Sequence, residues 1–165
     1  MEGEWNLYYD NGKLQSNGSY KGGNNIGVWL NYFENGQIQS IQNYKEGVLD
    51  GLAKVYHENG KVQSVGDYSS NAVSGEWKYY HENGKLQSIG DYIAGALTGE
   101  WKFYNENGKL QSQGNYIDSS MDGEWKFYYN DGKINSIGRY EYGKEAGDYK
   151  YYYQNGQLKV MGKYE

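Results

Sequence analysis

Residues 75–92 read Gly75-Glu76-Trp77-Lys78-Tyr79-Tyr80-His81-Glu82-Asn83-Gly84-Lys85-Leu86-Gln87-Ser88-Ile89-Gly90-Asp91-Tyr92, and this stretch decides the fold. At its centre Asn83-Gly84 separates two runs of strand-forming residues. Asn-Gly in that setting is the strongest short-range hairpin signal, because a type I′ turn needs positive φ at both central residues. Residues 76–81 are therefore predicted to pair with 85–91. A two-residue loop sets His81 opposite Leu86, Tyr79 opposite Ser88 and Trp77 opposite Gly90, all on one face. A Trp facing a Gly across the ladder can lay its indole over bare backbone. The other face then carries Glu76, Lys78 and Tyr80 with Gln87, Ile89 and Asp91, and is mostly polar.

Working outward, the same pattern recurs without insertion every 24 residues. One series is Gly3, Gly27, Gly51, Gly75, Gly99, Gly123 and Gly147; a second is the turn glycine from Gly12 to Gly156, followed each time by Lys or Gln. A strict period of this length marks a repeat architecture. The chain is read as one array over residues 1–165, with repeats at about 3–26, 27–50, 51–74, 75–98, 99–122, 123–146 and 147–165. A lone hairpin is marginal in water, so neighbouring hairpins must pair. The expected fold class is all-β: an elongated, single-layer, twisted antiparallel sheet of seven tandem 24-residue β-hairpin repeats, fourteen strands in all. The connectors are expected to be loops, with Leu49, Val73, Leu97 and Met121 as apolar plugs beneath them. Open edge strands at the two ends make end-to-end self-association an expectation too.

Composition agrees with a thin structure. Apolar residues make up only 37%, while aromatics reach 18%, with 21 Tyr and 5 Trp. A ring with one wet end suits half-buried positions. The absence of Pro and the 25 Gly fit short strands and tight turns. A net charge of −5 gives no basis for binding nucleic acid, which depends on Lys and Arg neutralising phosphates, and disfavours anionic membranes. There is no Cys, hence no disulfide and no thiolate metal site. No apolar run is long enough for a membrane helix. No targeting segment is visible, so the localisation stays open: cytoplasmic by default, exported if the chain belongs to a longer precursor.

The pattern Gly-Glu-Trp-Lys-Tyr-Tyr-x-x-Asn-Gly-Lys-Leu-x-x-x-Gly-x-Tyr resembles the bacterial variant of the MORN repeat. Its best copies are residues 75–92, 99–116 and 123–140; the third repeat has Leu52-Ala53 in place of Glu-Trp, and the second has Gln42 in place of Gly. Those two repeats are expected to be locally looser. The resemblance implies a binding role, as in the YwqK-type antitoxin or immunity proteins that bind a cognate toxin, or as in scaffolds with an affinity for lipid.

Candidate chemistry is sparse. His57 and His81 share one repeat position and would lie about 10 Å apart, two strand spacings, too far for one metal ion. They are read as substitutes for the Tyr or Phe found there elsewhere. Asp67, Glu76, Asp91 and Glu100 are expected on the polar face among Lys78 and Lys102, a salt-laced surface in which no dry pocket raises a carboxyl pKa. No nucleophile elbow or Walker-type loop is present. No catalytic residue, metal or cofactor is expected, and the chain is read as a non-enzyme.

Binding residues are the remaining candidates. Tyr32, Tyr56, Tyr80, Tyr104 and Tyr128 form one series, and Trp77, Trp101 and Trp125 a second whose first role is packing between hairpins. Tyr and Trp are enriched at interface hot spots. With the four carboxylates these residues make the candidate contact set for a protein partner, a basic toxin being the expected kind. The alternatives are a carbohydrate or cell-surface module, through ring stacking on sugar faces, and a lipid-contacting scaffold.

Overall fold

The computed structural model describes residues 1–164. It is all-β and antiparallel, as the repeat pattern predicts, with fifteen strands and no helix among the described residues. Two compact units divide it, residues 1–84 and 85–165. The first contains β1 (Gly3–Tyr8), β2 (Leu14–Lys21), β3 (Asn24–Tyr32), β4 (Ile38–Lys45), β5 (Val48–Leu49), β6 (Gly51–Tyr56), β7 (Val62–Ser69) and β8 (Ala72–Tyr80). They pair in chain order, with the short β5 beside β4. The second contains β9 (Leu86–Ile93), β10 (Ala96–Tyr104), β11 (Leu110–Ile117), β12 (Ser120–Tyr128), β13 (Ile134–Glu141), β14 (Lys144–Tyr152) and β15 (Leu158–Tyr164), also in chain order.

Within the hairpins of each unit the register is the predicted one over most of its length. Trp101 faces Gly114 and Phe103 faces Ser112, and Trp5–Gly18 and Trp125–Gly138 repeat the pairing. The turn, however, is of a different type. Asn105 N–H donates to the Lys109 carbonyl at 2.9 Å and Gly108 N–H to the Asn105 carbonyl at 2.8 Å. Gly108 has φ +88°, whereas Asn107 has no positive φ. This is a three-residue loop, a type I turn followed by one left-handed glycine. Asn107 contributes through its side chain instead, its Oδ1 accepting Lys109 N–H at 2.8 Å, a local turn bond typical of Asn.

The extra turn residue is then cancelled. A bulge on the second strand shifts the register, so Tyr104 faces Leu110. The two-residue loop placed His81 opposite Leu86, which in this repeat would put Asn105 opposite Leu110. That part of the expectation is wrong near the turn, yet the compensating bulge restores the Trp–Gly pairs further on.

The type I′ turns lie in the connectors. Between Ile93 and Ala96, which pair, Ala94 and Gly95 have φ of +49° and +88°. Asp118-Ser119 and Ser70-Asn71 do the same. The connectors are therefore tight hairpins rather than loops, and no plug is needed. Leu97 is a strand residue facing Tyr92, as Val73 faces Tyr68, Met121 faces Tyr116 and Leu49 faces Tyr44. Fifteen strands replace the expected fourteen because the strand leaving the second connector is interrupted at Asp50, whose N–H donates to the Asn43 carbonyl at 3.0 Å.

The indoles cover a different glycine from the one expected. Gly114, the ladder partner of Trp101, lies beneath Trp125, and Trp101 itself lies on Gly90 of the preceding hairpin. The cause is a bulge. Thr98 faces Asp91 and Lys102 faces Ile89, so residues 99–101 stand opposite Gly90 alone. Gly99, with φ +65°, makes the bend; this explains why the glycine series starting at Gly3 keeps strict phase. Bent inward, Trp101 meets three consecutive residues of β9: its ring covers Gly90, its indole N–H donates to the Asp91 carbonyl at 3.2 Å, and Tyr92 packs edge-on at 5.1 Å. Trp77 on β7 and Trp125 on β11 repeat the arrangement, with indole bonds to the carbonyls of Asp67 and Asn115. Trp77, Trp101 and Trp125 are only 2–3% exposed. Each thus works as a clasp between repeats.

Candidate functional site

The clasps decide which side of the hairpin is left for other work. On the packing side the stacks continue sideways, Trp101 with Phe103 at 5.8 Å and Trp125 with Phe127 at 6.1 Å, and Ser88 and Ser136 of the same unit are buried. Candidate contacts Trp77, Trp101 and Trp125 belong to this side and, buried, offer a partner no surface of their own.

The solvent-facing side holds the rest. Tyr32, Tyr56, Tyr104 and Tyr128 are half-buried at the ends of their strands, facing Ile38, Val62, Leu110 and Ile134. Tyr80 lies with Lys54, Lys61, Val62 and Val65 around an open depression in the first unit. The carboxylates are exposed but not gathered. Glu76 pairs with Lys78 at 2.7 Å and Glu100 with Lys102 at 2.9 Å, each two residues along its own strand. Asp67 faces Leu52 and Ser74, and Asp91 faces Thr98. Arg139 sits opposite Glu124 in the ladder but pairs with Glu141 at 3.3 Å, while Glu124 takes Lys126 at 3.1 Å. In the second unit Glu100, Glu124, Lys126, Gln113 and Asn115 surround a shallow polar depression. Among the described residues no three His, Asp or Glu side chains converge to hold a metal ion.

Several side chains are structural for a reason the sequence had already marked. His57 Nε2 lies 2.9 Å from the Tyr80 carbonyl, so that nitrogen must carry the proton. At the same repeat position Tyr9 and Tyr129 donate their hydroxyls to the carbonyls of Tyr32 and Tyr152, at 2.5 and 2.6 Å. Histidine here replaces a tyrosine. Several of the lysines that follow a turn glycine join successive turns: Lys61 Nζ donates to the Asn83 carbonyl and Lys85 Nζ to the Asn107 carbonyl, each at 2.9 Å, and Lys109 Nζ to the Asp131 carbonyl at 2.8 Å.

Two irregularities noted separately in the sequence are one feature. A clasp Trp lies 11 residues after its glycine, and Ala53 lies 11 residues after Gln42. Where the glycine has gained a side chain, the indole has become a methyl. Ala53 is still only 2% exposed, and Gln42 Oε1 accepts from Asn31 Nδ2 and from the Tyr44 hydroxyl, both at 3.4 Å. The same repeat has Leu52 where Glu76, Glu100 and Glu124 stand in later repeats, so Lys54 lacks the same-strand partner that Lys78 and Lys102 hold. Sequence reasoning missed the depression around Lys54 and Tyr80.

Burial pushes the phenol pKa values of Tyr44, Tyr116, Tyr140 and Tyr149 above the ordinary value. The shift is largest at Tyr149, where a 2.9 Å bond to the Tyr140 hydroxyl adds to burial. The native state thus favours the neutral phenols. Their contribution to stability is complete below the unfolded value of about 10 and is lost as pH rises through the raised native values. Alkaline titration followed by tyrosinate absorbance should show a subset of the 21 tyrosines ionising only together with unfolding. Titration of all of them in one free-tyrosine step would contradict this.

The geometry defines an array of tandem β-hairpins joined by clasps, with one packing side and one free side. The chain belongs to the family described as the MORN repeat variant, whose model matches residues 1–21, 26–46, 49–69, 74–94, 97–118, 121–142 and 146–165. No curated protein sequence matches. Among solved structures, the GtfA/B complex bound to UDP and GlcNAc is similar over 69% of this chain and 22% of that one, at 13% identity and a TM-score of 0.28. The Tc holotoxin pore of Photorhabdus luminescens is similar over 94% of this chain and 11% of that one, at 14% identity and a TM-score of 0.25. The chain spans less than a quarter of either.

Proposed function

We propose that this array is a non-enzymatic protein-binding module that holds a basic partner, in the manner of an immunity protein masking a toxin. The observation behind this reading is the division of labour between the two sides of each hairpin. Trp77, Trp101 and Trp125 are buried in the clasps, which leaves half-buried tyrosines and exposed carboxylates together on rigid strands facing solvent. The contact set is therefore Tyr32, Tyr56 and Tyr80 with Asp67 and Glu76 in the first unit, and Tyr104 and Tyr128 with Asp91 and Glu100 in the second. Tyrosine supplies contact area at low entropic cost, and the net charge of −5 favours approach of a cationic protein.

The test is co-expression with the product of a neighbouring gene, followed by calorimetry. A stable complex is expected, weakened about tenfold by Glu76→Lys or Glu100→Lys, a loss of roughly 1.4 kcal/mol in binding free energy. Added salt should weaken it as well. Failure to form a complex, or affinity indifferent to both charge reversals, would count against the reading.

A further inference from the structure

The net charge of −5 is not shared evenly along the sequence. Residues 1–84 hold six Lys against ten Asp and Glu, whereas residues 85–165 hold ten Lys and Arg against eleven, so the first unit carries −4 of the total. The solvent-facing side of that unit also departs from the repeat. Later repeats carry the pairs Glu76–Lys78, Glu100–Lys102 and Glu124–Lys126, joined at 2.7, 2.9 and 3.1 Å. At the same positions the second repeat has Val28 and Leu30, and the third has Leu52 and Lys54. Strand pairing brings these departures together. Leu30 faces Ile41 across β3 and β4, and Ile41 faces Lys54 across β4 and β6. In the neighbouring row Val28 faces Asn43, whose side-chain amide donates to the Leu52 carbonyl. Val28 is 53% exposed and Leu52 45%. Three charged positions have thus become an apolar patch open to solvent, within the more acidic unit.

We propose that this patch is the specificity element of the binding surface and takes an apolar side chain from a basic protein segment, with a Lys or Arg of that segment set against Asp67. The inference rests on the reading of the array as a module for a basic partner, and says where on it that partner is recognised. Interface centres are depleted of charge and rimmed by polar groups. A Glu–Lys pair under a docking side chain would have to be stripped of water, at a cost that its own attraction does not always repay. Val28, Leu30 and Leu52 remove that cost. Charge complementarity names the occupant. Asp67 is exposed and faces Leu52 across the ladder, and among the described residues no cation pairs with its carboxylate. The −4 of the unit draws in a cationic segment. Lys54, beside Ile41 in the other row, repels a cation there, which sets the basic residue of the segment on the Asp67 side.

The test is methyl NMR of the whole chain, titrated to millimolar concentration with the synthetic peptide Lys-Leu-Lys-Leu-Lys, its counterpart Lys-Ser-Lys-Ser-Lys and the acidic Glu-Leu-Glu-Leu-Glu. The first should shift the methyl signals of Val28, Leu30, Ile41 and Leu52 before those of Ile89 and Ile137, which hold the repeat position of Ile41 in the second unit. The serine and acidic peptides should bind about tenfold more weakly or less, the former for want of apolar contact, the latter for its charge. Leu30→Lys combined with Leu52→Glu installs residues that the fourth to sixth repeats already carry at these positions, and adds one charge of each sign. The fold and the field are thereby kept, and affinity for the leucine peptide should fall about tenfold through the lost apolar contact alone. Affinity that survives this exchange, or shifts spread evenly over both units, would overturn the proposal and leave the basic-partner reading standing. No shift with the leucine peptide would overturn it as well. An acidic peptide bound as tightly as the basic one would contradict both. Methyl shifts that follow chain concentration without peptide would give the patch to a second copy, and so overturn the proposal.

Discussion

Gly114→Ala is expected to destabilise the second unit by about 3 kcal/mol, the upper end of the usual cost of overpacking, while Gly162→Ala leaves its stability unchanged. The two glycines share one repeat position, and neither has a positive φ, so backbone strain is not the difference. What differs is the neighbour. A methyl on Gly114 falls inside the indole of Trp125, which is 2% exposed and has no free space to retreat into, whereas the position over Gly162 is open. Urea unfolding followed by tryptophan fluorescence measures both. Equal effects at the two sites would mean that the glycine is kept for its backbone rather than for the ring above it.

The second expected result concerns the paired exchange. Trp101→Ala should cost about 3–5 kcal/mol, the usual price of emptying a large buried aromatic site. Gly90→Gln added to Trp101→Ala should recover a substantial part of that loss, because residues 42 and 53 already carry this combination in the same chain and Ala53 remains buried. Gly90→Gln on its own should be worse than Gly90→Ala, since the longer side chain meets an indole still in place. Equilibrium unfolding of the four variants supplies the comparison. A double variant no more stable than Trp101→Ala alone would show that the exchange at 42 and 53 is coincidental.

The repeat and the fold class were legible because the 24-residue phase and the alternation of face are written directly in residue type. The register survived a wrong turn type for a physical reason. A three-residue loop and the bulge between Leu110 and Ser112 displace the strands by opposite amounts, and periodicity reads only their sum. The connectors were misread because Asp118-Ser119 and Ser70-Asn71 carry no glycine, although Asn, Asp and Ser can hold left-handed backbone when strands on both sides enforce it. The clasps were half legible. Trp opposite Gly was visible in the pattern, but the bulge at Gly99 that turns Trp101 onto the previous hairpin is a sheet property that a single hairpin does not contain. The same limit applied to the binding surface. Trp and Tyr both read as possible contacts until the indoles were placed between repeats, which left tyrosine and carboxylate facing solvent.

The claim beneath all of this is that each indole joins one hairpin to the one before it. Trp101 has two glycines to choose between, Gly114 in its own hairpin and Gly90 in the preceding one, and a double-mutant cycle with each distinguishes them. With Gly90→Ala, the cost of Trp101→Ala should fall by about 2 kcal/mol, the coupling expected of residues in direct contact. With Gly114→Ala, whose added methyl meets Trp125 rather than Trp101, the coupling to Trp101→Ala should be clearly smaller, although the two residues face each other in the ladder. Strong coupling to Gly114 and additivity with Gly90 would contradict the account.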